Sequence, residues 1–88
     1  MSGYRYTLAL HTAGKEVFRR WSGDREEMLR DMAHSLPHLD VDPHRAQNFA
    51  LEARAISPVE LLPGQTHSAI VLTNDLASRI VFEVKRTS

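Results

Sequence analysis

The sequence predicts an α+β domain: a largely antiparallel sheet of four to five strands, with one amphipathic helix or two packed on one face. Three observations carry that prediction. Apolar and polar residues alternate at period two near both ends of the chain, from Tyr4 to Leu10 and again from Ile80 to Val84. Between them, Met28, Leu29, Met32, Ala33 and Leu36 recur at helical spacing. The chain has 88 residues, enough for one core and too few for two, so 1–88 reads as a single domain.

Residues 3 to 21 read as a hairpin. Tyr4, Tyr6, Leu8 and Leu10 alternate with Arg5, Thr7, Ala9 and His11, the pattern of a half-buried strand. Thr12, Ala13, Gly14 and Lys15 supply the turn, with Gly14 free to take a positive φ. The return strand, Glu16 to Trp21, has an unsettled register, because Val17 and Trp21 fall on one face and Phe18 on the other; a bulge near Arg19 would reconcile them.

The helix spans 24–36, with Ser22 or Asp24 as its cap and Asp24, Glu26 and Glu27 at the positive end of its dipole. Arg25, Glu26, Arg30 and Asp31 face away from its apolar stripe, and Pro37 stops it. Residues 43–56 carry two periodicities. Asp42 before Pro43 looks like a cap and first helical position, and Ala46, Phe49, Ala50, Ala53 and Ile56 follow helical spacing. Phe49, Leu51, Ala53 and Ala55 also alternate as a strand does; the alanine content favours helix, and the shortage of large apolar residues tips the reading slightly to strand. Ser57 to Glu60 has a capping-box pattern that starts one helical turn, closed by Pro63 and Gly64.

Ala69 to Thr73 is an aliphatic, β-branched run; Asn74 and Asp75 are turn residues; Ile80, Phe82 and Val84 then alternate with Val81, Glu83 and Lys85. That is a second hairpin. The order hairpin, helix, strand or helix, hairpin resembles a β-grasp or a related split sandwich, a likeness of topology that carries no function with it.

Composition narrows the function classes. The apolar and charged fractions, 42% and 25%, are those of a folded globular chain, and the net charge of zero excludes a diffuse polycation or polyanion. There is no cysteine, hence no disulfide, thiolate metal site or thiol nucleophile, which fits the cytoplasm. No basic segment followed by a long apolar run marks a signal peptide, and no stretch approaches the ~20 apolar residues that span a bilayer. Arginine outnumbers lysine, which suits bidentate pairing with anions and equally follows from codon bias.

Chemical signatures are sparse. His34, His38 and His44, with Asp40 and Asp42 between them, are the densest group of metal-ligand types, but Pro37 interrupts the helix that would align the first two. The competing reading is a solvated loop at a helix end, and no metal or other cofactor is expected. Serines 22, 35, 57, 68 and 78 lie in no nucleophile motif, and His67 and Ser68 project to opposite faces of a strand. Glu26 with Glu27, and Asp40 with Asp42, lack the apolar surroundings that raise a carboxyl pKa for acid catalysis. The glycines form no phosphate-cradling loop. A non-enzymatic chain is the expectation.

The charges, although balanced, separate along the chain. Arg5, Lys15, Arg19, Arg20, Arg79, Lys85 and Arg86 lie in or beside the two predicted hairpins, while Asp24, Glu26, Glu27, Asp31, Asp40 and Asp42 lie in or just after the helix. A basic sheet surface opposite an acidic helix surface suits binding. The leading reading is a protein-interaction or adaptor module, with Arg5, Arg19, Arg20 and Lys85 as partner-binding residues and edge strands open to pairing with a partner or with a second copy. The alternative is a nucleic-acid-binding domain, in which Tyr4, Tyr6, Phe18 and Trp21 interleave with the cations as stacking platforms. Against it, those aromatics are also the natural core of the first hairpin, and no RNP pattern is present.

Overall fold

The computed structural model describes residues 3–88. Four strands form one antiparallel sheet: β1 (Tyr4–Thr12), β2 (Lys15–Ser22), β3 (Thr66–Leu72) and β4 (Ser78–Arg86), in the order β2-β1-β4-β3. Two helices, α1 (Arg25–Ser35) and α2 (Pro43–Ala55), connect the hairpins and cover one face. The class and the order of elements are those expected from the periodicities. No helix among the described residues is long and apolar enough to cross a membrane.

The core follows the alternation. Tyr6 and Leu8 of β1, Ile80, Phe82 and Val84 of β4, and Ala69 and Val71 of β3 meet Met28, Leu29 and Met32 of α1 and Phe49 and Ala53 of α2. Tyr4, Leu10 and Phe18 close its margins. Phe49 and Phe82 are fully buried and are the largest side chains at its centre.

Helix α1 begins as its sequence dictates. The Asp24 carboxylate accepts from the backbone N–H groups of Glu26 and Glu27, and the Ser22 hydroxyl accepts from the N–H of Asp24. Met28, Leu29, Met32 and Leu36 are buried, whereas Ala33 is exposed. Pro37 ends the helix through a 3-10 turn at Leu36–His38. Two residues expected to face away from the protein do not. The Arg25 guanidinium donates to the Arg54 carbonyl of α2, tying the helices together, and Asp31 is half-buried against Arg20 of β2.

Residues 43–55 are helix, which corrects the strand reading and fixes the sheet at four strands. The cap decides it: the Asp42 carboxylate accepts from the N–H groups of His44 and Arg45, and Pro43 occupies the first turn. The shortage of large apolar residues has another cause. Phe49 and Ala53 are fully buried, the small Ala46 and Ala50 pack against the core beside them, and α2 contacts α1 and β3, while Leu51 lies exposed. Pro58–Glu60 then forms the expected short turn, as a 3-10 helix, but the Ser57 side chain makes no cap bond.

The register of β2 also differs from expectation. Leu10 pairs with Phe18 and His11 with Glu16, so the bulge lies at Val17 rather than near Arg19. From Phe18 onward β2 alternates regularly: Phe18 and Arg20 share the helix-covered face with Leu10 and Leu8, and Arg19 and Trp21 share the opposite face with Ala9 and Thr7.

Candidate functional site

The helices leave one face of the sheet uncovered, and alternation determines what stands on it. From β1 come Arg5, Thr7, Ala9 and His11; from β4, Lys85, Glu83, Val81 and Arg79. Trp21, Arg19 and Glu16 of β2 flank one side, and Ser68, Ile70 and Leu72 of β3 flank the other. Four cations, Arg5, Arg19, Arg79 and Lys85, thus share the face with two carboxylates, Glu16 and Glu83. Thr7 and Ala9 are buried although no helix covers them, because both are small and stand between longer side chains on β2 and β4.

The Trp21 ring is the dominant group. It is 62% exposed, which is a large apolar area to leave in water for a chain with one tryptophan. The Arg5 guanidinium lies 4.8 Å from its ring centroid, within cation–π range. The two meet because Trp21 stands opposite Thr7, which makes Arg5 its diagonal neighbour across the strand pair. Arg5 in turn stands directly opposite Lys85. One end of the open face therefore carries an aromatic ring and two cations on a rigid sheet.

The four expected partner-binding residues separate by face. Arg5, Arg19 and Lys85 stand on the open face; Arg20 stands on the other, where its guanidinium pairs with Asp31 of α1 at 3.1 Å. Arg19 is bonded to Glu16. In an unbroken strand those two, three apart, would lie on opposite faces; the bulge at Val17 brings Glu16 round to Arg19. Of the aromatics expected among the cations, Tyr6 is buried, and Tyr4 and Phe18 pack against the core, leaving Trp21 as the aromatic on the open face.

The histidine group is dispersed. His34 lies in the last turn of α1, His38 in the following 3-10 turn and His44 in the first turn of α2, all exposed, and no three His, Cys, Asp or Glu side chains among the described residues are placed to hold a metal. The aspartates between them are used structurally: Asp42 caps α2, and Asp40 binds Asn74.

Sequence reasoning missed two concave features. An apolar groove of about 540 Å³ runs between the end of α1 and the start of α2, walled by Leu36, Leu39, Val41, Ala46 and Ala50. Its residues come from two helices and a loop, one of which read as strand, so no linear pattern marked it. The second lies between α2 and β3, where two shallow grooves of about 300 and 280 Å³ flank Glu52. No family model, curated protein or solved structure matches the chain.

Proposed function

We propose that this chain is a non-enzymatic protein-interaction module that binds its partner through the open face of the sheet, at the end marked by Trp21, Arg5 and Lys85. The observation that carries the reading is the exposed Trp21 ring held under the Arg5 guanidinium. Tryptophan and arginine are the residue types that most often dominate binding energy at protein interfaces, and a sheet holds them at fixed positions. Arg19 is partly neutralised by Glu16, whereas Arg5 and Lys85 stand side by side with no carboxylate bonded to either among the described residues. They favour a partner that offers an acidic rim around an apolar contact. The lack of cysteine supports a reducing compartment, the cytoplasm.

The nucleic-acid reading is weaker on the same geometry. Single-stranded binders present successive aromatic faces along a basic groove. Here one aromatic stands on the open face, one side of its ring is occupied by Arg5, and Glu16 and Glu83 interrupt the cations.

The test compares wild type with the Arg5→Glu, Trp21→Ala double variant, each immobilised and exposed to extract of the native host with and without nuclease. A protein retained by the wild type after nuclease treatment and lost from the variant supports the reading. Retention that disappears with nuclease and falls steeply with salt transfers the face to nucleic acid.

A further inference from the structure

We propose that the outer edge of β3, together with the overlying face of α2, is a strand-addition site for an extended peptide in which apolar residues alternate with cationic ones. The site is separate from the Trp21 patch, so either reading can fail alone.

The sheet has two edges, and they are built differently. β2 carries Lys15, Glu16, Arg19 and Arg20 and is broken by the bulge at Val17, features that discourage pairing with another strand. β3, Thr66–Leu72, has no charged residue, no proline and no bulge. The direction of its free backbone groups follows from two hydrogen bonds. The Thr73 N–H donates to the Ser78 carbonyl at 3.0 Å, so Thr73, and by alternation Val71 and Ala69, bond inward to β4. The Leu72 carbonyl accepts from the Arg45 guanidinium at 2.8 Å, so Leu72, and by alternation Ile70 and Ser68, point outward. Ser68 and Ile70 therefore present backbone donors and acceptors in the spacing that a further strand requires.

The surroundings specify the occupant. On the helix side, Glu52 of α2 lines both grooves beside the edge, and Asn48 and Arg45 line one of them, with the Arg45 guanidinium committed to the Leu72 carbonyl. Glu52 is exposed and makes no ion pair among the described residues. On the open-face side, Ile70 is 50% exposed and Leu72 40%. A strand added here directs alternate side chains to these two environments: cationic residues toward Glu52, and apolar residues toward Ile70 and Leu72.

A second copy of this chain fits less well. Antiparallel pairing of β3 with β3 about a two-fold axis would set both α2 helices on the same side of a continuous sheet, each over its own β3. Adjacent strands are about 4.8 Å apart, whereas packed helices need roughly 8–10 Å. A peptide without a helix avoids that conflict.

The test titrates the isotope-labelled full chain with a capped heptapeptide of alternating valine and lysine, read by amide chemical shifts and hydrogen exchange. Two control peptides replace lysine by glutamate or carry N-methyl groups on every second residue. Expected are shifts and slowed exchange at Ser68 and Ile70, binding roughly tenfold weaker for the glutamate peptide, and none for the methylated one. Glu52→Lys is expected to reverse the preference between the lysine and glutamate peptides. Absence of shifts at millimolar peptide overturns the proposal, as do shifts centred on Arg5 and Trp21 or equal binding of the methylated peptide. Concentration-dependent dimerisation that protects Ser68 and Ile70 without peptide would assign the edge to a second copy instead.

Discussion

Asn74, at the tip of the β3–β4 hairpin, is bonded twice to Asp40 in the loop before α2. Its backbone N–H donates to the Asp40 carbonyl at 2.7 Å and its side-chain amide to the Asp40 carboxylate at 3.1 Å. The same side chain accepts from the Asp42 N–H at 3.0 Å, one residue before α2 begins. A residue whose type marks a turn thus also fixes the entry of a helix. Asn74→Ala removes the two side-chain bonds and is expected to cost about 1–3 kcal/mol, measured by denaturant unfolding. Asn74→Asp should not restore the loss, because a carboxylate cannot donate to Asp40. A change of less than half a kcal/mol in the alanine variant would show that water replaces the clamp.

The helical assignment of 43–55 makes Phe49 a core residue and Leu51 a surface one. Phe49→Ala should cost roughly 3–5 kcal/mol, and Leu29→Ala or Met32→Ala on α1 about 2–5. Leu51→Ala should stay within about half a kcal/mol. A strand would place residues 49 and 51 on one face, so similar losses at both would sink the helix.

At the first hairpin turn, Ala13 has φ 53° and Gly14 φ 78°. Two successive left-handed residues between antiparallel strands are what a type I′ turn requires, and alanine at the first carries the strain of its Cβ. Ala13→Asn supplies the preferred Asn-Gly pair and is expected to raise stability by about 0.5–1 kcal/mol. An unchanged or lowered thermal midpoint would contradict that account.

Burial pushes the Tyr6 phenol above its ordinary value, against a smaller opposing pull from the nearby Arg25 charge. The native state therefore holds the Tyr6 proton more tightly than the unfolded chain does. Its contribution is fully present below the unfolded value, about pH 10, and is lost as pH rises through the higher folded value. Unfolding measured from pH 8 to 11 should show stability falling above about pH 10, with a shallower fall in Tyr6→Phe. Identical profiles would mean that other groups govern the alkaline limb.

Arg5→Glu with Lys85→Glu should leave the thermal midpoint nearly unchanged while abolishing partner capture, since exposed charges contribute little to stability. Arg20→Glu should do the reverse: it places a carboxylate against Asp31, lowers stability by up to about 1 kcal/mol, and leaves capture intact. Loss of capture in Arg20→Glu alone would move the interface to the helix side.

Both hairpins and α1 were legible because their large apolar residues repeat at one clear period, as in Leu8, Ile80, Phe82, Met28 and Met32. α2 was not, because its inward stripe is short and alanine-rich: Phe49 and Ala53 fit either period, and only the cap geometry of Asp42 separates them. The face of Arg20 was hidden by one residue. A bulge at Val17 shifts the alternation of Glu16 relative to everything after it, and nothing in the residue types fixes where such a bulge falls. The open face itself was legible as a set of cations, but the Arg5–Trp21 contact depends on register and so emerged only with the pairing. The β3 edge left no sequence mark, since its character is a lack of charge, and the carboxylate that overlooks it belongs to α2.

The central strand pair joins Tyr4 to Arg86 and Thr12 to Ser78, with β1 flanked by β2 on one side and β4 on the other. Much of the sheet's pairing is therefore between distant parts of the chain, a topology that folds slowly because loop closure precedes the contacts that reward it. During synthesis the N-terminal hairpin emerges first, with no partner for the second flank of β1. Along that flank the backbone groups of Arg5, Thr7 and Ala9 stay unpaired, and Tyr6 and Leu8 lack their core neighbours, until β4 is made. The nascent chain is thus most prone to misassociation before β4 arrives, and truncations that remove β4 should aggregate rather than fold partially.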